Sequence, residues 1–165
     1  MKISSQEKEF LRESNAIEGV FGDDSLQQAV YAWEFLRTQS VIEHGVILKT
    51  HKILMLHQPL MPDEKGYYRK VPVYIAGRQG LDHGKIKSRL EILMNNMTIW
   101  PEHWLYHHIE FEKIHPFVDG NGRTGRLLLN WERLKARMPL LIIKTGEQQK
   151  LYYEWFNDQI AKTSG

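Results

Sequence analysis

Apolar residues recur at three- and four-residue spacing through most of this 165-residue chain, and the interruptions are short. That period buries one stripe of a helix, so the chain must fold mainly from helices packed on one another. Ser4 with Glu7 forms a capping box that opens a first helix running towards Ile17, ended by Gly19 and Gly22. Asp24 or Ser25 then caps a second helix whose inner stripe is Leu26, Ala29, Val30, Trp33 and Leu36. A third fits Ile42 to His57, with Val46, Ile47, His51, Leu54 and Met55 inward, until Pro59 and Pro62 stop it. Helical spacing returns over Lys85 to Trp100, from Pro101 to the break at Pro116, from about Gly122 to Arg137, and after a cap at Thr145 and Gln148 to Ile160.

One stretch differs. From Gly66 to Gly77 the residues Tyr67, Tyr68, Val71, Val73, Tyr74 and Ile75 are β-branched or aromatic, which predicts a short hairpin closed by Gly77. Pro72 cannot donate a ladder hydrogen bond, so that hairpin keeps an unpaired edge. The expected fold is therefore mainly α, one domain over residues 1–165, with a single short β-hairpin.

Composition narrows the functional classes. A formal charge of +2 is too close to balance to argue for nucleic acid or an anionic membrane as partner, and the Lys85, Lys87, Arg89 run reads as a solvated helix face. The absence of cysteine excludes a disulfide scaffold, a Cys nucleophile and thiolate metal sites. No stretch resembles a signal peptide or a membrane span, which leads us to expect a soluble, cytoplasmic protein.

The chemistry concentrates in His115-Pro-Phe-Val-Asp119-Gly120-Asn121-Gly122-Arg123-Thr-Gly-Arg126, a loop that feeds a helix N-terminus. A first helical turn exposes unpaired N–H groups and the positive end of the dipole, and glycines clear the approach for an anion. Arg123 and Arg126, one turn apart, are unfavourable at that end by about 0.3–1 kcal/mol each unless an anion sits there. Asp119 is a hard oxygen ligand suited to phosphate-bound Mg²⁺, and His115 can accept a proton near neutral pH. Base, metal ligand and anion hole together suit phosphoryl or nucleotidyl transfer. Gly120, Gly122 and Gly125 also satisfy the dinucleotide pattern literally, but a helix and a Pro turn precede them where a buried strand is required. A calcium loop would need a Glu where Asn130 stands.

These residues resemble the signature of the Fic (filamentation induced by cAMP) family, H-x-F-x-[D/E]-G-N-G-R-x-x-R, at every specified position. The resemblance implies a Fic-type helical bundle and a protein adenylyltransferase that moves AMP from ATP to a Ser, Thr or Tyr hydroxyl of a target protein. It assigns His115 as the base, Asp119 to Mg²⁺, Gly120, Asn121 and Gly122 to the anion hole, and Arg123 and Arg126 to the outer phosphates. The hairpin at 66–77 matches the family's flap, whose residues Val71, Val73, Tyr74 and Ile75 would hold the target peptide by strand addition. Ser14-Asn-Ala-Ile-Glu18-Gly19 resembles the family's inhibitory motif, [S/T]-x-x-x-E-[G/N], so residues 1–19 would form an inhibitory helix in which Glu18 pairs with Arg126. Removal of AMP from a modified target with the help of Glu18, and a non-catalytic nucleotide- or peptide-binding module, stay open as alternatives, as do self-modification and a homo-oligomer. His103, His107, His108 and Glu112 have metal-ligand spacing without a third convergent ligand and read as solvated or core-capping groups. Tyr152, Tyr153 and Trp155 read as core, with contact to an adenine or self-modification as the alternative.

Overall fold

The computed structural model describes residues 2–162, with side chains in the last helix described as far as Asn157. Among the described residues the order is α1 (Ser5–Ile17), α2 (Asp23–Arg37), α3 (His44–Leu54), β1 (Tyr74–Ile75), β2 (Arg78–Gln79), α4 (Ile86–Ile99), α5 (Trp104–Ile114), α6 (Asn121–Lys135) and α7 (Glu147–Lys162). Short 3-10 turns, His83–Lys85 and Pro101–His103, lead into α4 and α5. The mainly α fold with one hairpin agrees with the sequence reading. No described helix is long and apolar enough to cross a membrane.

The α1 capping box forms as expected, and Glu7 does more than cap. Besides the Ser4 N–H, its carboxylate accepts from Trp33 Nε1 at 2.8 Å and Arg37 at 2.7 Å, tying α1 to α2. Helix α6 is buried on nearly every face from Asn121 to Arg133, because α1, α2, α3 and α5 all pack against it. The main core gathers Trp33, Phe111, Phe117, Leu36 and Trp131. Ile17, Ile143 and Tyr152 form a smaller cluster that seats α7.

Several boundaries differ from expectation. Gly22 is the N-cap of α2, which leaves Asp23 and Asp24 in the first turn, where the dipole favours them. Helix α3 is shorter than Ile42 to His57 at both ends. The cap of α7 is rearranged: Gln148 Oε1 accepts from the Lys144 N–H, while the Thr145 N–H donates to Glu13. The hairpin is displaced most. Its two-residue strands pair Tyr74 with Gln79 and Ile75 with Arg78, and Ala76 (φ 49°) and Gly77 (φ 78°) make the turn. Positive φ at both central positions is the type I′ pattern of a two-residue hairpin turn, so Gly77 sits at the tip and does not close the run. Val73 continues the pairing by accepting the Gly80 N–H at 2.8 Å, but Val71 and Pro72 lie outside any strand. Tyr68 turns inward against Phe117 and hydrogen-bonds His44.

Candidate active site

Residues 115–120 form a loop pinned at several points. His115 follows α5 in the left-handed conformation (φ 49°, ψ 63°), and Pro116 after it disfavours continuation of the helix. Phe117 is fully buried, and its ring stacks on His51 with centroids 3.6 Å apart. Asn121 brackets Phe117: its Oδ1 accepts the Phe117 N–H at 2.8 Å and its Nδ2 donates to the Phe117 carbonyl at 2.9 Å. That side chain is spent on the loop, which leaves the Asn121 backbone N–H for a ligand. Gly120 has φ +83°, and a Cβ there would stand 2.6 Å from Met55 Sδ.

His51, read from sequence as an inward helix residue, braces the loop from below. It accepts the Gly66 N–H at Nδ1, so the proton rests on Nε2 and is donated to the Asp119 carbonyl at 2.8 Å. Burial pushes its imidazole down to about 4, and it stays neutral at physiological pH.

Above this base opens a cleft of about 650 Å³, lined by Glu18, His115, Asp119, Gly122 and Arg126, with Ile75 of the hairpin on its wall. The N–H groups of Asn121, Gly122 and Arg123, the first turn of α6, make no hydrogen bond among the described residues. They form an anion site of the kind helix N-termini provide. His115 Nδ1 lies 3.3 Å from the Glu112 carbonyl. A carbonyl can only accept, so Nδ1 carries the hydrogen and Nε2 keeps its lone pair. Burial holds the His115 imidazole below its ordinary value, the Arg69 guanidinium acts in the same sense, and Asp119 and Glu18 oppose it.

Arg126 is buried, and its guanidinium donates to Ser14 Oγ at 2.9 Å, the Ser14 carbonyl at 3.0 Å, Tyr152 Oη at 3.2 Å and Glu18 Oε1 at 2.7 Å. Glu18 and Gly19 close the end of α1, with Gly19 at φ +67°. The Glu18 carboxylate lies directly over the α6 N-terminus: a Cβ on Gly122 would stand 2.5 Å from its Oε1. Arg123, by contrast, is buried outside the cleft wall, with its guanidinium 3.8 Å from Asp119. Tyr74 is exposed on the hairpin and Val71 half-exposed before it.

The sequence model of the Fic/DOC family matches residues 47–132, more than half of the chain. The chain belongs to the Fic/DOC family. Among curated relatives, the "Protein adenylyltransferase Fic" of Aedes aegypti is 35% identical over 117 residues, covering 64% of this chain and 22% of its own length. That of Drosophila virilis is 33% identical over 141 residues, covering 74% and 27%. This Fic chain thus spans about a quarter of the length of those relatives. Among solved structures, Fic-1 (residues 134–508) of C. elegans superposes with a TM-score of 0.81 at 20% identity, covering 96% of this chain and 57% of that one. A Fic-domain signalling protein of Bacteroides thetaiotaomicron gives 0.76 at 19% identity, covering 90% and 69%. These likenesses show the fold. The family match begins at residue 47, after the Ser14–Gly19 stretch.

Three polar groups around the Fic loop carried no sequence signal of their role. Arg69 is buried, and its guanidinium and backbone N–H reach the turn at His115 through bonds to the His115, Ile114 and Pro116 carbonyls. Glu112, packed beneath the cleft, has its carboxyl pushed up to about 7 by burial, with Oε2 3.9 Å from His115 Nδ1. His108 hydrogen-bonds Tyr152, which also accepts from Arg126, so it is a buried structural group, in line with the core-capping reading of its sequence position. His107 is another: it pairs with Glu132, whose carboxyl burial raises to about 9.

Proposed function

We propose that this Fic chain, acting as one domain in the cytoplasm, is a protein adenylyltransferase held in check by Glu18. The observation that carries the reading is the shared cleft: a neutral His115 with a free Nε2 lines it together with the unpaired N–H groups of α6, and Glu18 lies over the start of that helix on Arg126. ATP would seat its phosphates on the N–H groups of Asn121, Gly122 and Arg123, with Gly120 leaving the approach clear and Arg126 answering the outermost charge. A Ser, Thr or Tyr hydroxyl of a target would approach along the hairpin edge at Tyr74 and Ile75, with Val71 and Val73 on its near side, by strand addition. His115 Nε2 then takes the hydroxyl proton as the oxygen attacks the α-phosphorus. The bond from that phosphorus to the bridging oxygen breaks, AMP stays on the target and pyrophosphate leaves.

Asp119 fits a Mg²⁺ role, because its carboxylate is well exposed beside the cleft. No cluster of three or more His, Asp or Glu suited to a metal occurs among the described residues, so such an ion would complete its shell from phosphate and water. When bound, Mg²⁺ neutralises charge on the phosphate oxygens.

Glu18 on Arg126 takes the place an outer phosphate would need, which makes the ion pair a restraint on productive ATP binding. The test is incubation of wild type, Glu18→Gly and His115→Ala with α-³²P-labelled ATP and Mg²⁺, reading label on protein by gel. The Glu18→Gly protein should label itself or an added target strongly, wild type weakly and His115→Ala not at all. Equal labelling of wild type and Glu18→Gly would refute the restraint. Loss of activity on an AMP-modified target in Glu18→Gly would favour AMP removal instead.

A further inference from the structure

We infer that Arg69 is the positioning residue for His115, a single buried guanidinium that locks the base-bearing turn to the root of the hairpin. The inference rests on His115 being the base.

Arg69 is 3% exposed, yet no carboxylate lies within ion-pair distance of it among the described residues, and Asp82 acts on it only from further away. A cation in that setting is costly unless its donors are used, and here they are used on two different segments. Nε donates to the His115 carbonyl at 2.7 Å and an Nη to the Ile114 carbonyl at 3.2 Å. The other bonds go to the hairpin's two legs, to Val71 at 3.0 Å and Leu81 at 2.6 Å. The Arg69 backbone N–H adds a bond to the Pro116 carbonyl at 2.9 Å.

The turn has reason to need such a clasp. Ile114 and His115 stand at the C-terminus of α5, where carbonyls lack helical partners and a cation is favoured. His115 is also a non-glycine residue at φ 49°, a conformation that persists only when its surroundings over-determine it. Satisfying four carbonyls that point in different directions demands the forked, planar donor set of Arg, which a Lys ammonium cannot reproduce. The same group holds Val71 and Leu81, the residues from which the hairpin springs, so one side chain fixes the distance between the base and the edge that would present the hydroxyl. A misplacement of about 1 Å there is worth on the order of 10²-fold in rate.

The test uses Arg69→Lys and Arg69→Met in the full chain, each also in the Glu18→Gly background. The expected result is a fall of about 10²-fold in kcat for AMP transfer, with KM for ATP changed by less than threefold, since Arg69 touches none of the α6 N–H groups. The Cα and Cβ chemical shifts of His115 should move from left-handed towards averaged values in both variants, a readout that needs no turnover. A folded variant with kcat within threefold of its parent, or with unchanged His115 shifts, overturns the inference. If Glu18→Gly alone shows no transfer, the proposed function fails, and the shifts still decide the role of Arg69. Should both variants unfold, the Arg69 Nε–H of the unmodified protein must exchange with solvent at least 10²-fold more slowly than a free guanidinium, and fast exchange overturns the clasp.

Discussion

Replacing Glu18 by Gln keeps the side-chain length and an acceptor oxygen but removes the charge that touches Arg126 at 2.7 Å. A hydrogen bond between charged partners is worth about 1.5–3 kcal/mol net. The Glu18 side chain is 36% exposed while that of Arg126 is 3% exposed, so solvent screens one partner, and about 1–2 kcal/mol is the expected loss. Arg126 retains Ser14 and Tyr152, which keeps the helices together. The melting temperature should therefore fall by roughly 2–8 °C for a chain of this size. Any ATP that places a phosphate on Arg126 must displace the same contact in wild type and not in the variant. Its affinity should rise by the same free energy, about 5- to 30-fold. Calorimetric titration with ATP and Mg²⁺, in a His115→Ala background to prevent turnover, reads this directly. Affinities equal within twofold would show that the Glu18–Arg126 pair does not compete with the nucleotide, and the reasoning would fall.

Gly125→Ala should lower the urea midpoint by an amount equivalent to about 1–3 kcal/mol, because its Cβ would stand 2.9 Å from Glu112 Oε1 and 3.0 Å from His108 Cε1, where α5 and α6 cross. The Glu18→Gly protein should lose transfer activity on acidification with a midpoint below about 6.5, since a base held below its ordinary value stays unprotonated to lower pH. A midpoint above that value contradicts the assignment of His115. The His107–Glu132 pair shares a proton in the folded state, with the Glu132 carboxyl raised to about 9, whereas the unfolded chain holds none there above the ordinary His value of about 6.5. Folding stability should thus decline from about pH 6.5 towards 9, by at most about 1.4 kcal/mol per pH unit, and denaturation of Glu132→Gln across that range should show a flatter profile.

The sequence alone determined what neighbours along the chain decide. The capping box at Ser4 and Glu7, the inward stripe of α2 and the break at Pro116 are local or one-turn relations, set by helical spacing and by proline's missing N–H. The loop from His115 to Arg126 was legible for the same reason: a ligand cradle at a helix start needs its glycines, carboxylate and arginines close together in the chain. The sequence pattern puts the hairpin too early in the chain, because β-branched and aromatic residues mark a half-buried surface without saying whether it is a strand. Tyr68 meets the Phe117 ring and Arg69 enters the interior, while the strands wait for the positive-φ turn at Ala76 and Gly77. Only the tertiary structure decided what faces each stripe. His51 beneath Asp119, Asn121 spent on Phe117, Glu112 beside Gly125 and the Arg69 bonds to His115 all depend on which elements pack together. Periodicity gives the buried face of a helix, but the partner of a buried polar group is chosen by contacts between residues far apart in the chain.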